Sequence, residues 1–256
     1  MKLKLPHLSL GRKKTLSAVY WQKHCQGYID LLKDTEHYPS PYTKVMTPAL
    51  LSLVNKYTTP KSRLIDIGSG EGYFTRQVTA LNRHICGLDL SPEMVNEARR
   101  KDPTIDYQVK DIEVPAKSTV KYDLAFSNLV FHYIENIDIA LTNVHEMLKK
   151  DGYFVVTVPH PCYYLQENFN WFQDETDTPY NIGDYFSERT TIRNIANTFK
   201  THHIHRTIGS YLRIFIKNKF KMVDIVEPKS EYSVPITLKK IRKIPLFIIF
   251  VIQKIS

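Results

Sequence analysis

The chain has 256 residues and 43% hydrophobic side chains, the size and apolar content of one globular domain with a full core. No apolar run approaches the ~18 residues of a membrane-spanning helix, and the first 14 residues lack the apolar block of a signal peptide. The three cysteines, Cys25, Cys86 and Cys162, are scattered and lack metal-ligand spacing. We therefore expect no membrane span, no metal site and a location in the reducing cytoplasm.

The net charge of +9 lies at the two ends of the chain. Residues 1–14 carry +5 and residues 217–256 carry +6, which leaves −2 for everything between them. A basic surface attracts nucleic acid or anionic lipid, although basic ends more often form solvated tails. Nucleic-acid binding is therefore only a secondary expectation, and the oligomeric state stays open.

Two helices are predicted before residue 60. The first runs from about residue 17 to 33 and carries an aromatic stripe that includes Tyr20, Trp21 and Tyr28. The second covers about residues 45–57. An aromatic stripe at helical spacing favours packing against a neighbouring element.

A glycine-rich turn follows the first predicted strand. The apolar run 64–67 leads into three glycines at every second position, and a helical segment begins at Tyr73. Gly68 and Gly70 can adopt positive φ and carry no Cβ, so a ligand can approach the main chain closely. The free N–H groups at the start of the following helix face that ligand. Strand, glycine turn and helix together are typical of a nucleotide-binding site.

The acids around this turn narrow the choice of ligand. The glycines read G-x-G-x-G, Asp66 lies inside the strand, and Asp89 ends the next apolar run, 21 residues after Gly68. A carboxylate at that position suits a bidentate hydrogen bond to ribose hydroxyls. Asp66, Gly68, Gly70 and Asp89 together resemble motif I and the following acidic position of the class I S-adenosylmethionine (SAM) dependent methyltransferases.

Two later segments extend this resemblance. Ser91 and Pro92 predict a helix start directly after the ribose acid. A strand over residues 105–109 is followed by Asp111 and Ile112. In the family, an acid at this place lies beside the adenine, and the next residue packs on the ring.

The strand that begins at Tyr122 ends in Asn128 and Leu129, which in the family lie near the methionine portion of the cofactor. His132 falls where many small-molecule members also carry a histidine. The Asn-Pro-Pro-aromatic tetrad of amino-group methylation is absent, which weakens the nucleic-acid interpretation. The resemblance thus assigns SAM to one set of residues: Tyr20, Asp66, Gly68, Ser69, Gly70, Asp89, Leu90, Asp111, Ile112, Asn128 and Leu129.

The remaining pattern predicts a helix over 139–149, a buried strand over 153–158, a helix over 206–218, and strands over 220–226 and 245–253. This order is similar to that of the family. It implies an α/β fold with a doubly wound, seven-stranded mixed sheet that is Rossmann-like, with the last strand antiparallel.

We expect a single methyltransferase domain with four parts. These are an N-terminal helical cover (15–57), a SAM-binding core (61–159), a lid insert after the fifth strand (160–205), and a closing helix and strands (206–256). The insert begins with an aromatic and acidic segment, 166–184, and continues with a hairpin pattern over 190–205. An insert at this place hangs over the edge of the sheet where an open α/β fold binds its ligand.

The expected activity is methyl transfer from SAM to a small-molecule acceptor by in-line displacement, with the O, N or C acceptor atom left open. A hydroxyl or acidic carbon also needs a base, and the candidate histidines are His132, His160 and His205. Alternatives are an RNA or carrier-bound acyl methyltransferase and a SAM-binding, non-methylating enzyme acting on a polyketide-like molecule. A nicotinamide-dependent dehydrogenase is the least favoured.

Overall fold

The computed structural model describes residues 15–35, 42–81, 83–164, 185–195, 199–229 and 245–256. The basic segment 1–14 and the aromatic segment 166–184 of the expected insert lie outside these described residues. Among the helices of the described ranges, none is long and apolar enough to cross a membrane.

Seven strands form the central sheet. They are β1 (Arg63–Ile67), β2 (His84–Asp89), β3 (Asp106–Val109), β4 (Tyr122–Asn128), β5 (Leu148–Pro159), β8 (Phe220–Val226) and β9 (Phe247–Lys254), in the order β3-β2-β1-β4-β5-β9-β8. Strands β1 to β5 pair in parallel, and β9 is antiparallel to both β5 and β8. The predicted mixed sheet with its last strand antiparallel is confirmed.

Helices cover both faces of this sheet. They are α1 (Leu16–Thr35), α2 (Thr47–Tyr57) after a short π-helical turn (Tyr42–Met46), α3 (Tyr73–Thr79), α4 (Pro92–Lys101), α5 (Ile137–Met147), α6 (Pro161–Tyr164) and α7 (Ile208–Lys217). One apolar cluster joins α5 and α7 to the sheet, and a second joins α2 and α3 to its other face. Because both faces are covered, the inner strands read as continuous apolar runs, as in β9.

The strand order reverses between β1 and β4. Open α/β folds bind their ligands outside the carboxyl ends of the strands at such a switch point. Two elements approach this edge of the sheet. The predicted hairpin is present as β6 (Thr190–Ile195) and β7 (Phe199–Ile204), paired antiparallel. Helix α1 contacts β7 on one side and α4 on the other.

Local signals explain where several helices begin. Ser91 Oγ accepts a hydrogen bond from the Met94 N–H, and Pro92 occupies the first turn of α4, as predicted. Thr207 caps α7 in the same way, so this helix begins at Ile208, two residues later than the apolar pattern indicates.

Candidate cofactor site

Two carboxylates lie at the carboxyl ends of the adjacent strands β1 and β2. Asp66 is 1% exposed, and its Oδ2 accepts a hydrogen bond of 2.6 Å from the Thr75 hydroxyl. Burial, together with the nearby charge of Asp89, raises the pKa of Asp66 to about 7, although the Thr75 hydrogen bond opposes the shift. A carboxyl group with this pKa changes charge near neutral pH.

Asp89 is held by the backbone of the turns beside it. Its Oδ2 accepts from the Gly70 N–H and its Oδ1 from the Ser91 N–H, both at 2.9 Å. Burial raises the pKa of Asp89, while these backbone donors act in the opposite direction. Each carboxylate oxygen has a further lone pair, so the oriented group can still accept two ligand hydroxyls.

The glycine turn supplies a close backbone approach. Gly68 and Gly70 both have positive φ, 75° and 54°. A Cβ on Gly68 would lie 2.3 Å from a Val130 methyl carbon, so the turn packs directly on the segment after β4. A Cβ on Gly70 would meet no atom within 4 Å, so the backbone here faces open space that a ligand can enter.

Several buried oxygens around this turn have no hydrogen-bond partner among the described residues, and they include Asp66 Oδ1, Ser69 Oγ and Asn128 Oδ1. A buried polar atom without a partner costs about 1–3 kcal/mol, so such atoms usually mark a place that a ligand or water fills. Because the carboxylate and amide oxygens only accept, these positions favour a ligand that carries N–H or O–H donors and positive charge.

Leu129, directly after β4, has a left-handed backbone with φ of 57°. Its N–H donates to the Thr157 carbonyl at 3.0 Å. A left-handed conformation costs a residue with a Cβ about 1–2 kcal/mol, and such strain concentrates at functional sites. Leu129, which the sequence predicted to lie near the methionine end of a cofactor, thus has a backbone that the surrounding structure must hold.

The predicted adenine side is built by the turn after β3. Asp111 accepts a 2.8 Å hydrogen bond from the Glu113 N–H, and Ile112 is buried in the main core cluster. Leu90, directly after Asp89, is half-buried. Apart from Tyr20, which lies on α1, the predicted cofactor residues lie at or just after the carboxyl ends of the neighbouring strands β3, β2, β1 and β4.

Helix α1 lies over this edge. Tyr28 packs against the apolar cluster that includes Met94 of α4. Burial, together with the charges of Glu71 and Asp89, raises the pKa of Tyr28 to about 12. The Tyr20 ring instead packs on His202 of β7, with ring centroids 5.4 Å apart. The charges of Glu71 and Asp89 therefore act on Tyr28, whereas Tyr20 contacts the hairpin.

The three candidate histidines are all buried. His160 donates from Nε2 to Glu227 Oε1 at 2.8 Å, and its Nδ1 accepts from the Cys162 N–H at 3.2 Å. Burial lowers the pKa of His160, although Glu227 acts in the opposite direction.

The other two histidines have different neighbours. His205 donates from Nε2 to the Tyr185 carbonyl at 2.9 Å. The His132 ring lies 5.1 Å, centroid to centroid, from that of His203. Their catalytic roles stay predictions.

A mixed sheet with helices on both faces, and with a glycine turn and two acids at its switch point, is typical of nucleoside-binding proteins of the Rossmann-like class. Residues 65–156 match the family model described as a methyltransferase domain. A SAM-dependent methyltransferase of Mesorhizobium loti has a similar structure, with a TM-score of 0.69 and 26% identity, covering 84% of this chain and 98% of that one.

Two curated relatives are named malonyl-[acyl-carrier protein] O-methyltransferase. The protein of Bacillus cereus is 26% identical over 186 residues, 69% of this chain and 68% of that protein. The protein of Erwinia billingiae is 32% identical over 90 residues, 35% of this chain, so the alignment spans only 36% of that relative's length. The family model covers a little over a third of the chain, and together with the structural similarity it supports a class I SAM-dependent methyltransferase with SAM as its cofactor.

The residues present fit this cofactor. The unpartnered oxygens of Asp66 and Asn128 can accept from an ammonium group, Asp89 can accept from two ribose hydroxyls, and the open space at Gly70 admits a ligand against the backbone.

Proposed function

We propose that this protein transfers a methyl group from SAM to a small-molecule acceptor. The observation that carries the proposal is the set of unpartnered, buried acceptor oxygens beside Asp89 at the switch point of the sheet. SAM, when bound, supplies an electrophilic methyl group on a sulfonium. The protein therefore has to orient the two reactants, and no covalent intermediate with the protein is required.

Each part of the edge has a proposed role. Asp66, Ser69 and Asn128 hold the cationic end of the cofactor, while Asp89 and Leu90 hold the ribose. Asp111 and Ile112 contact the adenine, and Gly68, Gly70 and Leu129 contribute backbone and shape. Tyr28 is added to this set because it packs against the cluster that includes Met94 of α4 and because the charge of Asp89 contributes to its raised pKa. Tyr20 keeps its proposed place in the cover.

A small acceptor is favoured because chain covers this edge: helix α1 contacts β7, and its Ser17 hydroxyl donates to the Tyr133 carbonyl. We propose the four-part organisation 15–57, 61–159, 160–205 and 206–256, with the third part acting as a lid. We also propose a cytoplasmic location, which is supported by free Cys25, Cys86 and Cys162.

The proposed bases are His132, His160 and His205. For His160, Nε2 is bonded to Glu227 and Nδ1 accepts a backbone hydrogen bond, so it could take a proton only after the Cys162 contact opens. An acceptor that is already ionised needs no base at all. Single replacements His160→Gln and His205→Gln should therefore alter the pH–rate profile only if the acceptor loses a proton during transfer.

A carrier-bound acyl group is the second candidate acceptor, because two relatives carry that substrate in their names. An acyl carrier protein is a macromolecule, so the two candidates differ in a measurable way. Turnover that requires the intact acyl carrier, and that is absent with the free acyl compound, would favour the carrier.

Isothermal calorimetry tests the cofactor assignment. The wild-type protein should bind SAM at a stoichiometry of one and should not bind NAD. Asp89→Ala should weaken SAM binding at least tenfold through loss of charge-assisted hydrogen bonds. Asp123→Ala, at the opposite end of the strands, should leave SAM affinity unchanged. Equal affinities for SAM in both variants would contradict the assignment.

A further inference from the structure

The chain between β4 and α5 is held by hydrogen bonds from distant elements, in addition to the core packing of Phe131 and Ile134. Its four consecutive carbonyls, residues 131–134, each accept a hydrogen bond from the region 202–206. The bonds are Arg206 Nη1 to Phe131 O (3.3 Å), Ile204 N to His132 O (2.8 Å), His202 Nε2 to Tyr133 O (2.6 Å) and Arg206 Nη2 to Ile134 O (2.7 Å). Residues 202–206 therefore supply a donor to each of these four carbonyls, and the Ser17 hydroxyl of α1 is a second donor to Tyr133 O (2.8 Å).

The next two backbone N–H groups, those of Glu135 and Asn136, donate to Glu113, which follows the turn assigned to the adenine. Glu113 is 4% exposed, and its Oε2 accepts from the N–H groups of Glu135 (3.1 Å) and Asn136 (2.8 Å). Glu113 in turn donates its own N–H to Asp111. The segment 131–136 thus lies between the turn assigned to the adenine and the hairpin assigned to the lid.

A displacement of this segment would also displace the glycine turn, because the two are in contact through Val130. Val130 immediately precedes it and contacts Gly68 so closely that a Cβ there would clash at 2.3 Å. Leu129, one residue earlier, is in the strained left-handed conformation. A strained backbone persists only where its surroundings hold it, so the contacts of residues 131–134 help to keep the end of β4 in place.

Arg206 is the central donor. It is 8% exposed, and two nitrogens of one guanidinium span two carbonyls that are three residues apart. A planar guanidinium can make both bonds in a fixed geometry, whereas the single ammonium of a lysine cannot reproduce that fork. Hydrogen bonds from a charged donor are also about twice as strong as neutral ones.

We propose that Arg206, assisted by His202, is a positioning residue for methyl transfer: it fixes residues 131–134, and through them Asn128 and Leu129, at the cofactor site. The inference rests on the proposed function, since the site is the one assigned to SAM. It makes docking of the hairpin and binding of the cofactor mutually dependent, because both need the same ordered segment.

The test measures SAM affinity by calorimetry and amide hydrogen exchange of residues 129–136 in the full-length protein. Arg206→Met should weaken SAM binding about tenfold and speed exchange in this segment. Arg206→Lys should give an intermediate loss. His202→Gln, which keeps a donor at the Nε2 position, should bind SAM more tightly than His202→Leu. Arg213→Met, in the exposed part of α7, is the matched control and should change neither readout.

A folded Arg206→Met protein that binds SAM within twofold of the wild type would overturn the proposal. So would faster exchange spread evenly over the sheet, because that is the result of a merely structural role. If Arg206→Met does not fold, Arg206→Lys decides by the same two criteria. If the wild type binds no SAM, the proposed function fails, and exchange at residues 129–136 still decides whether Arg206 holds the segment.

Discussion

Replacing Asp66 by asparagine should stabilise the cofactor-free protein and impair it as an enzyme. The Asp66 carboxyl is 1% exposed, and its pKa is raised from 3.8 to about 7, first by burial. At 1.36 kcal/mol per pKa unit, ionising this group costs the folded state about 4 kcal/mol. Asparagine has a similar shape and keeps an oxygen that can accept from Thr75, without the buried charge.

The sign of the pH dependence follows from proton binding. Between pH 3.8 and about 7 the folded state keeps the Asp66 proton and the unfolded state has lost it, so rising pH removes stability. The free-energy cost of ionising Asp66 in the folded state is fully present above pH 7 and absent below about pH 4. The advantage of Asp66→Asn over the wild type should therefore grow across this window, approaching about 4 kcal/mol at pH 8.

Urea unfolding at several pH values between 4 and 8 measures this difference. Asp123→Asn is the control, because hydrogen bonds from Lys149 and the Arg63 N–H outweigh burial and lower the pKa of Asp123, so its replacement should lose stability at pH 8. Calorimetry should show weaker SAM binding by Asp66→Asn. A constant stability difference from pH 4 to 8, or a loss at pH 8, would refute the reasoning.

Three further predictions concern the same site. Gly68→Ala should lower the free energy of unfolding in urea by roughly 2–4 kcal/mol, because the added Cβ would lie 2.3 Å from Val130 and the φ of Gly68 is 75°. Gly209→Ala in α7 is the control and should be neutral or stabilising. Equal effects of the two substitutions would contradict the packing. SAM binding near pH 6 should release up to about one proton, because the positive charge of SAM favours the ionised form of Asp66. Calorimetry in buffers of different ionisation enthalpy measures this release. Proton uptake on binding would contradict the prediction. Asp89→Asn should weaken SAM binding at least tenfold, because an amide NH₂ would face the N–H of Gly70 or Ser91; unchanged affinity would exclude Asp89 as the ribose ligand.

The sequence was informative where function depends on local spacing. Gly68, Gly70 and the acids at the ends of β1 and β2 follow from a strand–turn–helix pattern, because parallel strands bring their carboxyl ends to one edge. The sheet could be predicted because buried parallel strands are continuous apolar runs, which the helical segments separate. Helix ends were less accurate: α7 begins at Thr207's cap, which the apolar periodicity does not register.

The contacts that hold the site could not be predicted in this way. Arg206 meets the carbonyls of residues 131 and 134 across more than 70 residues of chain, and no local pattern indicates that pairing. Thr75 lies nine residues from Asp66 and carries no motif of its own. Glu113 directly follows two residues assigned from the family, yet its role depends on where residues 135 and 136 fall in space.

A crystal structure of the protein with S-adenosylhomocysteine tests the central claim most directly. The predicted result is a nucleoside at the switch point, with its ribose hydroxyls on Asp89, its adenine beside Asp111 and Ile112, and its ammonium group against Asp66. A nucleoside bound at any other edge of the sheet, with Asp66 and Asp89 untouched, would contradict the assignment.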